Sequence, residues 1–314
     1  MIVESPAKGH LFVALDTNLL NSNQIDQLRR HYRTVIIVNN RQNAITEMLA
    51  EDPSPTALLI GVREKISREV LDSLPNLVVI ASASVGTDHI DLEEAKERGV
   101  EVVYAKGINA RSVAEHTLAL TLAQVKRIPE GNAAVLNGVD RAGLKELPRE
   151  LRGQRFSVLG AGPTAAELVR LLVPFEVDLR IWTRNPDRHR ELEAWGARFD
   201  SLREVVQGAE ILSLHLALTP ETRGMVTSDM LTALAPGGII VNVSRRELLE
   251  EECAARLREN RPDIRFALDD FNLAASGTVA TLDGSAIFTP HVAGVTREAS
   301  RALIDYAISE LIHS

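Results

Sequence analysis

The stretch Phe156-Ser157-Val158-Leu159-Gly160-Ala161-Gly162-Pro163-Thr164-Ala165 decides the fold, together with Leu168, Val169, Leu171 and Leu172 just beyond it. Four residues of strand character run into a pair of glycines, and a proline opens a segment whose apolar residues recur at helical spacing. Gly160 suits a tight turn. Gly162, with no side chain, lets a diphosphate approach the backbone and the helix N-terminus, where Pro163 and Thr164 stand. Pro163 is tolerated there because first-turn amides lack intrahelical partners. The third glycine of the dinucleotide pattern is replaced by Ala165, still small enough for close packing of helix on strand. Strand, turn and helix in this order predict a phosphate cradle, although the same turn also serves α/β proteins that bind nothing there.

Cofactor choice is read at the tip of the next strand, where an acid would bind the ribose 2′-hydroxyl of NAD. The chain has Ile181-Trp182-Thr183-Arg184-Asn185 instead, with no acid at the tip. Thr183 can hydrogen-bond a 2′-phosphate and Arg184 can pair with it, which favours NADP over NAD. The alternative is that Arg184 is a solvated loop cation.

Further out, short β-branched runs alternate with helical patterns. Strands are predicted at 11–16, 35–38, 57–61, 77–82, 100–104, 156–160, 179–183, 211–216, 238–243, 265–269 and 287–289. Helical segments are predicted at 24–30, 69–73, 92–98, 164–172, 228–234, 247–258 and 297–312. Apolar strands with little alternation, separated by helices, indicate parallel sheets covered on both faces, so the class is α/β. A long apolar stripe over 111–127 reads as a helix bridging two domains, and 131–149 shows no clear period. The expected domains are 1–106 and 289–314 around an inserted 107–288.

The 314 residues are enough for two such domains. A net charge of −8 argues against a general nucleic-acid binder. No apolar run approaches the ~20 residues of a membrane span. The N-terminal stretch lacks a secretory pattern, so a cytoplasmic location is expected. The single cysteine, Cys253, excludes an internal disulfide framework and a cysteine-rich metal site, and no metal is expected.

Five further segments appear in a fixed order: Ser84-Val85-Gly86-Thr87-Asp88-His89-Ile90-Asp91, Asn109-Ala110-Arg111-Ser112-Val113-Ala114-Glu115-His116-Thr117, Leu218-Thr219-Pro220-Glu221-Thr222-Arg223-Gly224-Met225, Val241-Asn242-Val243-Ser244-Arg245 and Thr289-Pro290-His291-Val292-Ala293-Gly294. In these the chain resembles the D-isomer-specific 2-hydroxyacid dehydrogenases. The resemblance runs from about Leu77 to Thr296. It implies a Rossmann dinucleotide-binding domain inserted into a flavodoxin-like substrate domain, an active site in the cleft between them, and a homodimer formed through the inserted domain. It also implies Arg245 and His291 as catalytic residues, Val85 and Gly86 as substrate-binding, and a small 2-keto or 2-hydroxy acid as the substrate.

The chemistry of those residue types agrees. A permanently charged guanidinium can bridge a carboxylate and a carbonyl, and an imidazole can give a proton near neutral pH. Asp269 matches the family's aspartate on the preceding strand and counts among the cofactor-binding positions. Five residues on, where the family has a glutamate to pair with the histidine, stands Ala274. Asp270 and Asp283 are the acids nearby in sequence that could substitute. Arg246 replaces a usual glycine; it could contact an anionic substrate, crowd the turn, or face solvent. His89 replaces a common asparagine. Two readings follow: an NAD(P)H-dependent reductase of a small 2-keto acid, or a weakly active relative that uses the dinucleotide as a regulatory ligand. A third, an inherited fold binding no dinucleotide, has less support.

Overall fold

The computed structural model describes residues 8–15, 19–38, 45, 54–144, 146–270 and 286–313. The chain divides into two compact units, Met1–Asn109 with Thr296–Ser314, and Ala110–Val295. Against an expected change of domain after 288, the second unit runs on to Val295, because Ile287–Thr289 is a strand of its sheet.

Unit one contains β1 (Lys8–Ala14), β2 (Tyr32–Val38), β3 (Ala57–Ile60), β4 (Val79–Ser82) and β5 (Glu101–Tyr104). They form one parallel sheet in the order β2-β1-β3-β4-β5, the flavodoxin-like arrangement. β3 and β4 are buried at every position, as strands covered on both faces must be. One face packs Leu11, Val13 and Leu59 against Ile304, Ala307 and Ile308 of the C-terminal helix Arg297–His313. The other packs Phe12, Leu58 and Ile80 with Leu71 and Ala95 from the helices Arg68–Asp72 and Leu92–Glu97.

Unit two holds β6 (Arg155–Leu159), β7 (Asp178–Trp182), β8 (Arg198–Phe199), β9 (Ile211–Leu214), β10 (Ile239–Asn242), β11 (Arg265–Asp269) and β12 (Ile287–Thr289). Their order is β12-β11-β10-β9-β6-β7-β8, all parallel. Counted from β6, this is the doubly wound dinucleotide-binding order with one strand added, and the order reverses between β6 and β9. The helix Ala110–Val125, expected as a bridge, belongs to this unit. Gln124 there donates its side-chain amide to the Phe266 carbonyl at 2.8 Å, and Arg265 donates to the Gln124 carbonyl at 2.7 Å.

Three local features differ from the sequence reading. The two-residue strand β8 is too short to show a period. The aperiodic stretch after the long helix contains a helix, Ile128–Leu136, whose Val135 and Leu136 are 75% and 78% exposed. It buries no face of its own, which is why no amphipathic signal marks it. The helix expected from Glu247 begins only at Cys253. The intervening backbone instead bonds to Gly224–Val226, with Val226 donating to the Leu248 carbonyl at 3.0 Å and Glu250 to the Val226 carbonyl at 3.0 Å.

Among the described residues, no helix is long and apolar enough to cross a membrane. No group of three or more His, Cys, Asp or Glu side chains among them is placed to hold a metal ion.

Candidate active site

The predicted site residues of unit two collect at the carboxyl ends of five strands of its sheet: Gly160–Thr164 after β6, Thr183–Arg184 after β7, Arg245 after β10, Asp269 ending β11, and His291 after β12. Carboxyl ends beside a reversal of strand order are where open α/β sheets bind ligands.

At the first end the backbone turns sharply at Gly160, with φ +108°. A Cβ there would collide with the carbonyl group of His215, whose carbon would lie only 2.8 Å away. Glycine is therefore required by the protein itself. Gly162 is different. Its φ of −69° suits any residue, and a Cβ would meet nothing within 4 Å. The backbone does not need glycine at 162, so the bare surface it leaves over the start of the helix Pro163–Leu172 is space suited to a ligand's diphosphate. No acid occupies that helix's first turn and no side chain caps it. The first intrahelical bond runs from the Ala166 amide to the Gly162 carbonyl at 3.0 Å, leaving the amides of Thr164 and Ala165 ahead of it. Ala165 is fully buried against the sheet, the role a third small residue serves. The residues present therefore fit a dinucleotide's diphosphate.

Beyond β7, Thr183 borders a depression of about 390 Å³ shared with Trp182, Phe199, Asp200 and Glu204. The two acids escaped the sequence reading because they follow β8. Both are engaged: Asp200 with Arg180 at 2.7 Å, and Glu204 with the Ser201 hydroxyl at 2.6 Å. Arg184 is exposed. The Thr219 hydroxyl holds Glu221 below the usual carboxylate range, and the Arg184 charge adds to that effect. Arg184 thus belongs to the same electrostatic neighbourhood as the loop after β9.

Arg245 is half-buried on a loop anchored by Asn242. The Asn242 side chain donates to the Arg245 carbonyl at 2.9 Å and accepts from the Ser244 amide at 3.0 Å, while the Ser244 hydroxyl donates to the Leu214 carbonyl at 2.9 Å. Arg246 faces Asp270, Nε to Oδ2 at 3.7 Å, so the cation that replaces the usual glycine is matched by a nearby acid. Ala274 and Asp283 lie outside the described residues.

His291 has φ +55°, the left-handed region that costs a non-glycine residue on the order of 1 kcal/mol or more and that clusters at functional sites. The turn is held by Asp269, only 3% exposed. Its Oδ1 accepts from the Thr289 hydroxyl at 2.6 Å and the Val292 amide at 2.9 Å, and its Oδ2 from the Ala293 amide at 2.8 Å. Asp269, expected as a cofactor contact, thus spends its carboxylate on the backbone beside His291. Sequence reasoning did not single out His116 of the long helix, whose Nε2 lies 3.0 Å from the Thr289 hydroxyl. His215, after β9, was also missed. Burial pushes its imidazole down to about 4, and its Nε2 pairs with the Ser213 hydroxyl at 2.8 Å.

In unit one, Val85 and Gly86 form the loop after β4. Ser84 donates to the Gly86 carbonyl at 2.7 Å, and Ser82 links Ser84 at 2.7 Å to His89 Nε2 at 3.2 Å. His89 thus takes part in a hydrogen-bonded chain under that loop.

A family model for the D-isomer specific 2-hydroxyacid dehydrogenase NAD-binding domain matches residues 118–293. A glyoxylate reductase of Pyrococcus furiosus is 26% identical over 304 residues, covering 94% of this chain and 90% of that one. A D-3-phosphoglycerate dehydrogenase of Methanocaldococcus jannaschii is 31% identical over 261 residues, 82% of this chain. The chain spans about half the length of that dehydrogenase, 49%. A solved protein from Thermus thermophilus superimposes with a TM-score of 0.81 at 28% identity, covering 95% of this chain and 94% of its own.

Proposed function

This chain belongs to the D-isomer-specific 2-hydroxyacid dehydrogenase family, and from that premise we propose that it reduces a small 2-keto acid to the D-2-hydroxy acid with NADPH preferred over NADH. One observation carries the reading: a phosphate-ready turn, an arginine and a histidine in strained backbone stand at strand ends of one parallel sheet. Gly160, Gly162, Pro163 and Thr164 would receive the diphosphate. Thr183 and Arg184 would receive a 2′-phosphate, since the acids nearest Thr183 are already engaged.

When bound, the dinucleotide supplies the hydride. Arg245 holds the substrate carboxylate and polarises the carbonyl. His291 gives a proton to the oxygen of the former carbonyl and takes it back in the reverse direction. Asp269 keeps the His291 turn in place. Val85 and Gly86 are the proposed amide donors to the carboxylate, on the family resemblance alone. A homodimer through unit two is supported by the exposed Ile128, Val135 and Leu136 of the helix Ile128–Leu136; sedimentation should give the mass of two copies. A cytoplasmic location is proposed with the enzyme role.

The test is nicotinamide absorbance with NADPH and NADH, each offered with a panel of 2-keto acids over several pH values. Oxidation with one or two acids supports the reductase. The second reading, a binding protein of little activity, is favoured by Ala274 in the glutamate position. Tight dinucleotide binding with no turnover on any acid would select it.

A further inference from the structure

We propose that His116 is a positioning residue for the reaction, acting through Thr289 and Asp269 on the turn that carries His291; this rests on the reading of His291 as proton donor. Both oxygens of buried Asp269 accept, Oδ1 from the Val292 amide and Oδ2 from the Ala293 amide, and the Thr289 hydroxyl, 2.6 Å from Oδ1, gives its single hydrogen to Asp269. It then has none for His116. The 3.0 Å contact therefore runs from His116 Nε2–H to the Thr289 oxygen, which fixes the proton on Nε2. His116 Nε2 also stands 3.9 Å from Asp269 Oδ1.

The order of donation is thus His116 to Thr289 to Asp269, and the same carboxylate receives the amides of Val292 and Ala293. These two amides directly follow His291, whose own amide donates to the Thr289 carbonyl at 2.9 Å. A left-handed histidine needs such external restraint, because its backbone alone would relax to a commoner conformation. With the His116 donor in place, the Thr289 hydroxyl has one satisfying orientation, toward Asp269. Without it, the Thr289 oxygen loses its donor and the hydroxyl is released to turn. The Asp269 carboxylate then has a weaker hold on the two amides that set the His291 direction.

The experiment compares His116→Leu with His116→Gln, whose amide offers a donor near the place of Nε2. His116→Leu should lower kcat about tenfold, with KM for the keto acid and dinucleotide Kd within about twofold, as expected for misplaced chemistry rather than lost binding. His116→Gln should restore kcat to within about threefold of the parent. The amide resonances of Val292 and Ala293 should shift in the leucine variant and stay in place in the glutamine variant. Thr289→Val enters the same chain one link further on. Combining it with His116→Leu should cost no more than Thr289→Val alone. Unchanged kcat in His116→Leu, or a glutamine variant as slow as the leucine one, overturns the proposal. His291→Asn distinguishes the two failures. If it turns over normally, the proton-donor reading falls and this inference with it; if it is inactive while His116→Leu is fully active, only this inference falls.

Discussion

The turn at Gly160–Gly162 and the turn at Pro290–Ala293 sit on the same edge of one sheet, and both place a residue at positive φ, +108° for Gly160 and +55° for His291. They are built in opposite ways. The first is local: a glycine bears the conformation, and the neighbouring helix start provides the chemistry. The second is assembled from separate stretches of chain, Asp269, Thr289 and His116, because a histidine at positive φ has to be held. The difference teaches that a sharp strand-to-helix turn can be encoded in ten consecutive residues, whereas a histidine held at positive φ depends on hydrogen bonds spanning most of the unit.

The sharpest break in that comparison is His291→Asn. Asparagine tolerates the left-handed region, so the turn should survive while the proton donor is lost. On the reading of His291 as acid, kcat falls on the order of a thousandfold and the thermal midpoint stays near that of the parent. Turnover within a few-fold of the parent would remove His291 from the mechanism.

The two glycines of the first turn provide the next test. Gly160→Ala should destabilise unit two by about 3 kcal/mol or more, since it combines positive φ with a collision on the His215 carbonyl. Gly162→Ala should leave stability within about 0.5 kcal/mol, yet weaken dinucleotide binding about tenfold as its Cβ enters the ligand's space. Urea denaturation and a binding titration separate the two. Equal loss of stability in both would show that Gly162 serves the fold.

This contrast also explains what was legible in the sequence. Eleven predicted strands have counterparts in the structure, because parallel strands buried on both faces read as apolar runs. The glycine turn after β6 was legible for the same reason of locality, and the placement of Arg245 and His291 at strand ends through their flanking motifs. What escaped was non-local or featureless. His116 is off the apolar stripe of its helix, and nothing in sequence ties it to Thr289. The pairing of Arg246 with Asp270 joins two residues from different strand ends that look unrelated along the chain. Helix Ile128–Leu136 turns apolar residues outward, so burial leaves no period to read.

At the tip of β7, Arg184→Ala should reduce the preference for NADPH over NADH about tenfold, the worth of one charge-assisted contact to a 2′-phosphate. NADH kinetics should change little. If both cofactors weaken equally, Arg184 acts on something they share, and the preference has to be sought elsewhere on that edge.

The smallest effect expected concerns His215, whose backbone carbonyl walls the Gly160 turn. Its folded value of about 4 lies below the ordinary 6.5, so folding favours the neutral ring. That contribution is complete above about pH 6.5, declines as pH falls toward about 4, and is constant below. The full shift would correspond to roughly 3 kcal/mol, and solvent contact at the residue's edge reduces this to on the order of 1 kcal/mol. His215→Gln provides the reference, since it does not titrate and can keep a bond to Ser213. The chain's two tryptophans, Trp182 and Trp195, both lie in unit two, so their fluorescence follows the unfolding of that unit. The parent should lose stability relative to the glutamine chain between pH 6.5 and 4 and not between 8 and 6.5. Parallel curves throughout would mean that the imidazole is hydrated in the folded protein, and the wall behind Gly160 would then be held by backbone alone.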